Sequence, residues 1–521
     1  MSSPEFAPTI PRMLAAAAQA YADLPAIQEE GCALSYRQLD LLRRQAARAL
    51  LALEVAAGER VAIWAPNIHE WVVAATALQS VGAVLVPLNT RMKGSEAGYI
   101  LRESGASVLF VIGEFLGSDY PAMLADEVLP ALRQRIGLRG AAAGCLTWDD
   151  FLALAEEVSP AELEVREAEV GEHSLSDLLF TSGTTGKPKG VMTAHGQNLC
   201  IVRDWSALVG LRRGDRFLIV NPFFHSFGYK AGWLAALMRG CCILPQQVFD
   251  VPQLLACIAR ERVTVLPGPP TLYQSILSHP RRGEYDLSSL RVAVTGAASV
   301  PVEMIRRMDA ELGFETIVTA YGLTEACGFV SICRPGDSPE RVAGTCGRAF
   351  PGVELRCVDG EGGQVPAGEP GEVLVRGYNL MQGYFNDPAA TSDAIDSEGW
   401  LHTGDIGVLD EHGYLRITDR IKDMFITGGF NVYPAEIEQV ILAYPGVAQA
   451  AVIGIPDERL GEVAMAFLLP TAGQVIDIPS FLTWCRERMA NYKVPRHARL
   501  LETMPLNAAG KVTKDALRAL T

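Results

Sequence analysis

Short apolar runs alternating with helix-period stretches between about residues 35 and 320 restrict this chain to few architectures. Val61-Ala62-Ile63-Trp64, Val108-Leu109-Phe110-Val111, Phe217-Leu218-Ile219-Val220, Val263-Thr264-Val265-Leu266 and Val292-Ala293-Val294-Thr295 are nearly continuous in apolar character. Strands of that kind need cover on both faces, which parallel sheets receive from their crossover helices. Residues 304–312 show the 3.6-residue period of such a helix. The reading is an α/β fold with mixed, mostly parallel sheets covered by helices. Ligands in such sheets bind beyond the carboxyl ends of strands, where residues 181–190, 221–225 and 295–298 fall.

At 521 residues the chain exceeds one ordinary core, so two or more domains are expected. From about 340 to 418 the runs shorten and glycines recur (Gly352, Gly360, Gly362, Gly363, Gly368, Gly371, Gly377), which indicates a small β-rich subdomain. Asp419-Arg420-Ile421-Lys422-Asp423 is a charged break, after which enough chain remains for a separate α+β domain. The uncharged stretch 71–89 is long enough to span a bilayer, but Gln79, Ser80, Gly82 and Pro87 divide it. A buried helix, a turn and the strand Ala83-Val84-Leu85-Val86 account for it better, so no transmembrane segment is expected. Eleven cysteines without a CxxC spacing, and a start without the pattern of a signal peptide, point to reduced thiols in a cytoplasmic setting. His69-Glu70 lacks the second histidine of a HExxH metal site.

Directly after Leu178-Leu179-Phe180, residues 181–190 gather four hydroxyls (Thr181, Ser182, Thr184, Thr185), three glycines (Gly183, Gly186, Gly190) and two lysines (Lys187, Lys189). Glycines let a backbone approach an anion, hydroxyls and N–H groups bond phosphate oxygens, and lysines neutralise charge. A solvated turn explains any three of these residues; a polyphosphate explains the set. The loop is no Walker P-loop, because only Thr184 and Thr185 separate Gly183 from Gly186 and Pro188 follows Lys187. The formal net charge of -15 argues against nucleic acid or an anionic membrane as the main partner. So acidic a chain must concentrate positive charge locally to hold a polyphosphate.

Further clusters fit a nucleotide-activating site. Tyr321-Gly322-Leu323-Thr324-Glu325 offers an aromatic face, a hydroxyl, and a carboxylate able to hold Mg²⁺ beside phosphates. Gly399-Trp400-Leu401-His402-Thr403-Gly404-Asp405 ends in a carboxylate suited to ribose hydroxyls, and Gly428-Gly429 permits close backbone approach. Pro505-Leu506-Asn507-Ala508-Ala509-Gly510-Lys511 sets a lysine on a glycine-containing turn. Taken singly, His225 reads as a satisfied turn histidine, Asp405 as a turn residue and Lys511 as a solvated lysine.

Together and in this order, the motifs are similar to those of the acyl-adenylate-forming superfamily: acyl-CoA synthetases, peptide-synthetase adenylation domains and luciferases. The resemblance covers residues 36–511. It implies an N-terminal domain, 1–420, and a small mobile C-terminal domain, 421–521. Residues 181–190 would be the phosphate loop, with Thr184 also at the metal, and His225 would border the acyl pocket. Gly296, Ala297, Ala298, Ala320, Tyr321, Gly322 and Thr324 would frame the nucleotide, with Tyr321 stacked on adenine. Glu325 would hold Mg²⁺, Asp405 and Arg420 the ribose. Lys422 would be the hinge, Gly428 and Gly429 would line a channel for coenzyme A, and Lys511 would be the adenylation lysine. The implied substrates are ATP, coenzyme A and a small-molecule carboxylic acid. A homodimer is compatible with the chain.

For the acid, the aromatics in Phe223-Phe224-His225-Ser226-Phe227-Gly228-Tyr229-Lys230-Ala231-Gly232 and Gly268-Pro269-Pro270-Thr271-Leu272-Tyr273 are expected to wall an apolar pocket. Lys230 points either to solvent or to a keto or second carboxylate group of the acid. The stretches 225–232, 266–280 and 286–301 resemble actinobacterial-type ligases for ring-bearing propanoate side chains of steroids; a fatty acid is the other candidate. Competing readings are an enzyme loading a carrier-protein phosphopantetheine arm, a luciferase-like oxygenase, and a nucleotide-sensing pseudoenzyme. The last predicts loss of Lys511, Glu325, Asp405 and Arg420, all of which are present.

Overall fold

Two large sheets are built from strands between Pro25 and Tyr384. In the computed structural model the described residues are 3–140, 143–181, 188–296, 300–420, 423–427, 430–457, 459–489, 491–507 and 512–521, with backbone alone at 419, 420, 430, 431 and 436. The nine-stranded sheet runs Arg348–Ala349, Ser331–Ile332, Thr316–Tyr321, Val292–Gly296, Val265–Pro267, Arg216–Ile219, Cys242–Pro245, Pro25–Glu29, Cys32–Ser35. Its interior strands pair in parallel, and the antiparallel pairs lie at its two edges. The eight-stranded sheet runs Gly383–Tyr384, Lys189–Ala194, Leu175–Thr181, Val84–Pro87, Arg60–Trp64, Val108–Val111, Gln134–Gly137, Leu146–Thr147. It too is parallel except for the first two pairings.

The strand cores are fully buried in apolar residues, as double-sided cover requires: Val61 to Trp64, Val108 to Val111 and Val292 to Ala293 expose nothing. Helices begin where local chemistry allows. Tyr36–Ala52 starts on a reciprocal Ser35/Gln38 capping box, and Val302–Leu312 stops at Gly313, whose φ of 72° suits the left-handed stop. The uncharged stretch 71–89 forms part of the buried helix His69–Ser80 and the strand Val84–Pro87, as its breakers predict. Among the described residues no helix is long and apolar enough to cross a membrane. One expected strand starts late: Val265–Pro267 excludes Thr264, whose hydroxyl accepts from the Arg216 amide at 2.9 Å and donates to Asp215 at 2.9 Å.

A four-stranded antiparallel sheet follows, built from Val353–Val358, Pro370–Gly377, Leu401–Leu409 and Leu415–Arg420. The last part is α+β. Its sheet joins Phe425–Thr427, Phe430–Val432, Val447–Asp457, Gly461–Pro470 and His497–Leu500, and its helices are Pro434–Ile441, Ile478–Arg486 and Lys514–Arg518. Nearly all buried apolar residues from Ala7 to Leu415 form one cluster, with Val358, Leu374 and Trp400 in a small one beside it, while those from Phe425 to Leu517 form two small ones. The large N-terminal α/β domain and the smaller C-terminal one therefore have separate cores.

His195, at the start of the helix His195–Leu208, is fully buried, and its Nδ1 accepts from the Ile10 amide at 3.3 Å. Burial lowers its pKa from 6.5 to about 4. The unfolded chain therefore takes up a proton that the folded one refuses, and stability falls as pH drops from 6.5 to about 4. The loss approaches about 3 kcal/mol at 1.36 kcal/mol per pKa unit. Urea unfolding at pH 7.5, 6 and 4.5 should show it, and His195→Gln should flatten the slope; an unchanged slope in that variant contradicts the assignment.

Candidate active site

The ends of parallel strands in both sheets bring the motif residues together. In the eight-stranded sheet, Thr181 and Lys189 face each other at the connected end of an antiparallel hairpin. The connection between them carries Ser182, Gly183, Thr184, Thr185, Gly186 and Lys187, which lie outside the described residues. In the nine-stranded sheet, Gly296 ends one strand directly beside Ala320, and Tyr321 ends the next. Ala297 and Ala298, which follow Gly296, also lie outside the described residues, as do Lys422, Gly428, Gly429 and Lys511.

Beyond Tyr321 the backbone folds back on itself. A Cβ on Gly322 would stand 2.0 Å from the Gly328 carbonyl oxygen, so the turn admits only glycine there. Thr324 and Glu325 form a short helical turn. The Met381 amide donates to the Glu325 carbonyl at 2.8 Å, while the Tyr384 hydroxyl donates to Glu325 Oε1 at 2.9 Å. Tyr384 sits on the edge strand Gly383–Tyr384, paired with Val191 and Met192 of the hairpin. Lys189 Nζ lies 5.1 Å from the centre of its ring. Tyr384 thus joins the cation at the hairpin to the carboxylate of the neighbouring sheet. Burial and the Glu325 charge raise its pKa, so the phenol stays protonated and donates.

Glu325 has no lysine or arginine within ion-pair distance among the described residues. A half-buried carboxylate with one oxygen held by a phenol and no cation on it suits a hard divalent ion. Asp405, 6% exposed, accepts a hydrogen bond from the Tyr321 hydroxyl, and its backbone pairs in register with Arg420. Burial, then Asp405, raises the Tyr321 pKa well above 10. The aromatic expected at adenine and the carboxylate expected at ribose are therefore adjacent. His225 caps the turn Ser226–Gly228, where its Nδ1 accepts from the Phe227 amide at 3.2 Å and its side chain is exposed.

Two expectations about the acyl side are corrected. Phe223, Tyr229 and Tyr273 do not wall a pocket; they are packed in the core. Tyr229 stacks on Trp233 at 4.8 Å, Phe223 meets Trp71 edge-on at 5.7 Å, and the Tyr273 hydroxyl donates to the Leu266 carbonyl at 2.6 Å. Lys230 faces neither solvent nor an open pocket. Its side chain is 0% exposed and lies 3.3 Å from Asp177 Oδ1, itself 0% exposed. A buried ammonium needs a paired carboxylate, and Asp177 supplies it.

Sequence reasoning missed Tyr384, Asp177 and Thr193. Asp177 and Lys230 left a signal: one opposite charge in each of two apolar runs. Tyr384 left none beyond its place after Gly383. Elsewhere Glu29, His69 and Glu70 bring ligand atoms within 4.8 Å of one another. Arg139 occupies that cluster, at 2.5 Å from Glu29 and 2.6 Å from Glu70.

A hairpin whose connection is rich in glycine, hydroxyls and lysine, a half-buried carboxylate linked to it through Tyr384, and Tyr321 bonded to Asp405 of the four-stranded sheet agree with an acyl-activating class of enzyme. The chain belongs to the AMP-binding enzyme family: that family matches residues 14–385, and the AMP-binding enzyme C-terminal domain matches residues 436–511. It is 48% identical over 517 residues to a 3-[(3aS,4S,7aS)-7a-methyl-1,5-dioxo-octahydro-1H-inden-4-yl]propanoyl:CoA ligase of Rhodococcus jostii, covering 98% of each chain. It is 52% identical over 475 residues to the protein of the same name in Mycobacterium tuberculosis, covering 91% of each. Among solved structures, the anthranilate CoA ligase AuaEII in complex with anthranoyl-AMP matches with a TM-score of 0.89 at 28% identity, covering 98% of this chain and 97% of that one.

Proposed function

We propose that this protein is an ATP-dependent carboxylate–CoA ligase whose acid is a propanoate borne on a fused, oxygenated ring system. The observation that carries the activity is Glu325, uncompensated by any described cation and linked through Tyr384 to Lys189 at the hairpin. The ring-bearing acid rests on the two relatives near 50% identity, whose names specify such a side chain.

The carboxylate oxygen attacks the α-phosphorus of ATP; a P–O bond forms and pyrophosphate leaves. Glu325 and Thr184 would hold a magnesium ion, which would supply positive charge beside the phosphates. Lys187, Lys189 and the hydroxyls and amides of residues 181–186 hold those oxygens, while Lys511 stabilises charge on the reacting one. Tyr321 and Gly296 to Ala298 border the base, and Asp405 with Arg420 takes the ribose hydroxyls. His225, exposed where it caps its turn, borders the acyl group. The thiol of coenzyme A then attacks the activated carbonyl, the C–O bond breaks and AMP leaves. No protein nucleophile is needed, and burial keeps the nearby Cys327 thiol neutral by raising its pKa to about 11. We assign residues 1–420 and 421–521 as the two domains, with Lys422 as the hinge that withdraws Lys511 and brings Gly428 and Gly429 to the thiol channel.

Incubation with ATP, Mg²⁺, coenzyme A and a panel of acids tests the reading. Mass spectrometry should find the ring-propanoyl thioester formed fastest. Palmitoyl-CoA as the fastest product overturns the acid, and acylation of a carrier protein in preference to coenzyme A overturns the acceptor. Glu325→Gln should shift the Mg²⁺ dependence of pyrophosphate exchange to higher concentration by about tenfold, since a neutral amide is a poorer ligand for a hard cation. An unchanged Mg²⁺ curve places the metal on another residue.

A further inference from the structure

The Lys230–Asp177 pair stands at the meeting point of the three segments that form the site. Asp177 belongs to the strand Leu175–Thr181, which leads into residues 182–187. Thr193 belongs to the returning strand of the same hairpin. Lys230 belongs to the π-helical turn Tyr229–Leu234, which follows His225 and Ser226–Gly228. Cys327 lies close enough that both charges act on its thiol, two residues beyond Glu325. Its φ of 56° is unusual for a non-glycine residue, and a Cβ on the next residue, Gly328, would come within 3.0 Å of Ser226. The turn bearing Glu325 therefore packs directly on the turn bearing His225.

Both members of the ion pair have further polar partners in the core. Lys230 Nζ donates to Thr193 Oγ1 at 3.1 Å, and Thr193 Oγ1 donates to Asp177 Oδ1 at 2.6 Å. Asp177 Oδ2 accepts from Ser176 Oγ and Asn198 Nδ2, each at 2.6 Å, and from the Tyr229 hydroxyl at 3.5 Å. Gln79 Nε2 donates to that hydroxyl at 2.9 Å. Burying two charges brings little net stability compared with apolar packing of equal volume, so this arrangement calls for a role in placement. Connected polar networks admit few alternative geometries. Helical turns of π type recur at functional sites, where they aim particular side chains.

We propose that Lys230 and Asp177 are positioning residues that hold the turn after His225 in register with the phosphate-loop hairpin, so that the bound carboxylate meets the α-phosphate of ATP. The proposal rests on the ligase reading. Neither residue touches substrate. They set the distance between two elements that do, and misplacement near 1 Å costs about 10²-fold in such reactions. The thiol step has no attack on phosphorus to align, so it should be nearly indifferent to the strut.

The test separates the two half-reactions. Wild-type enzyme is assayed first for acid-dependent ATP–pyrophosphate exchange and for thioester formation from supplied acyl-AMP; absence of both defeats the ligase reading and says nothing against the strut. Two variants follow. Thr193→Val removes the hydroxyl that links the charges, and Lys230→Met with Asp177→Leu replaces the pair by apolar groups. Exchange kcat should fall about 10-fold in the first and about 10²-fold in the second, with KM for ATP within about twofold of wild type. Thioester formation from acyl-AMP should stay within about twofold. Unchanged exchange in a folded variant, or a parallel fall in both half-reactions, overturns the proposal. If the double variant does not fold, the Thr193→Val half-reaction ratio decides alone.

Discussion

Lys511→Ala should cut acyl-adenylate formation by at least about 10²- to 10³-fold, the range seen when one preorganised charge-stabilising donor is removed. Negative charge grows on the α-phosphate oxygens as the carboxylate attacks. Within a dehydrated site, a lysine ammonium there is worth far more than the same charge in water. On the proposed reading Lys511 acts only while the C-terminal domain presents it, so thioester formation from supplied acyl-AMP should survive the substitution. Stopped assays of each half-reaction provide the check. Equal losses in both contradict the assignment of Lys511 to one of two domain arrangements.

Lys230→Met alone should destabilise the N-terminal domain by about 3–5 kcal/mol, because it strands the Asp177 carboxylate in the core without its counter-charge. Asp177 keeps its bonds from Ser176, Thr193 and Asn198, but hydrogen bonds alone do not offset the cost of a buried charge. Replacing both residues by apolar groups should recover most of that loss, since no charge then remains to be buried. Urea unfolding followed by tryptophan fluorescence suits the measurement, for Trp233 stacks on Tyr229 and lies 5.9 Å from Trp71 beside the pair. A single-variant loss below about 1 kcal/mol would mean that water reaches Asp177 and that the pair is solvated.

What could be read from the sequence, and what could not, divides by distance along the chain. Strands such as Arg60–Trp64 and Val108–Val111 were legible because double-sided burial demands an unbroken apolar run. The helix His69–Ser80 and the strand Val84–Pro87 were legible because polar and glycine breakers punctuate them. The hairpin that ends at Thr181 and Lys189, the Glu325 turn and Asp405 stood out as candidates because groups suited to phosphate, metal and ribose are concentrated there in short order. Pairings between distant segments were not. Lys230 read as a residue for solvent or substrate because nothing local names Asp177 as its partner. Tyr229 and Tyr273 read as pocket walls because an aromatic beside a site has the same spelling whether it faces ligand or core. Tyr384 was overlooked because a hydroxyl that bridges two sheets has no motif of its own.

The central claim is that the acid is activated as a mixed anhydride with AMP before the thiol arrives. Its most direct measurement uses the ring-bearing propanoate labelled with ¹⁸O in both carboxylate oxygens, with ATP, Mg²⁺ and coenzyme A. Attack of a carboxylate oxygen on the α-phosphorus, followed by cleavage of the C–O bond, leaves one label on the phosphate of AMP and one in the thioester carbonyl. Mass spectrometry of the nucleotide should therefore find AMP carrying a single ¹⁸O for each thioester formed. Unlabelled AMP, or ADP with labelled phosphate, would contradict the account.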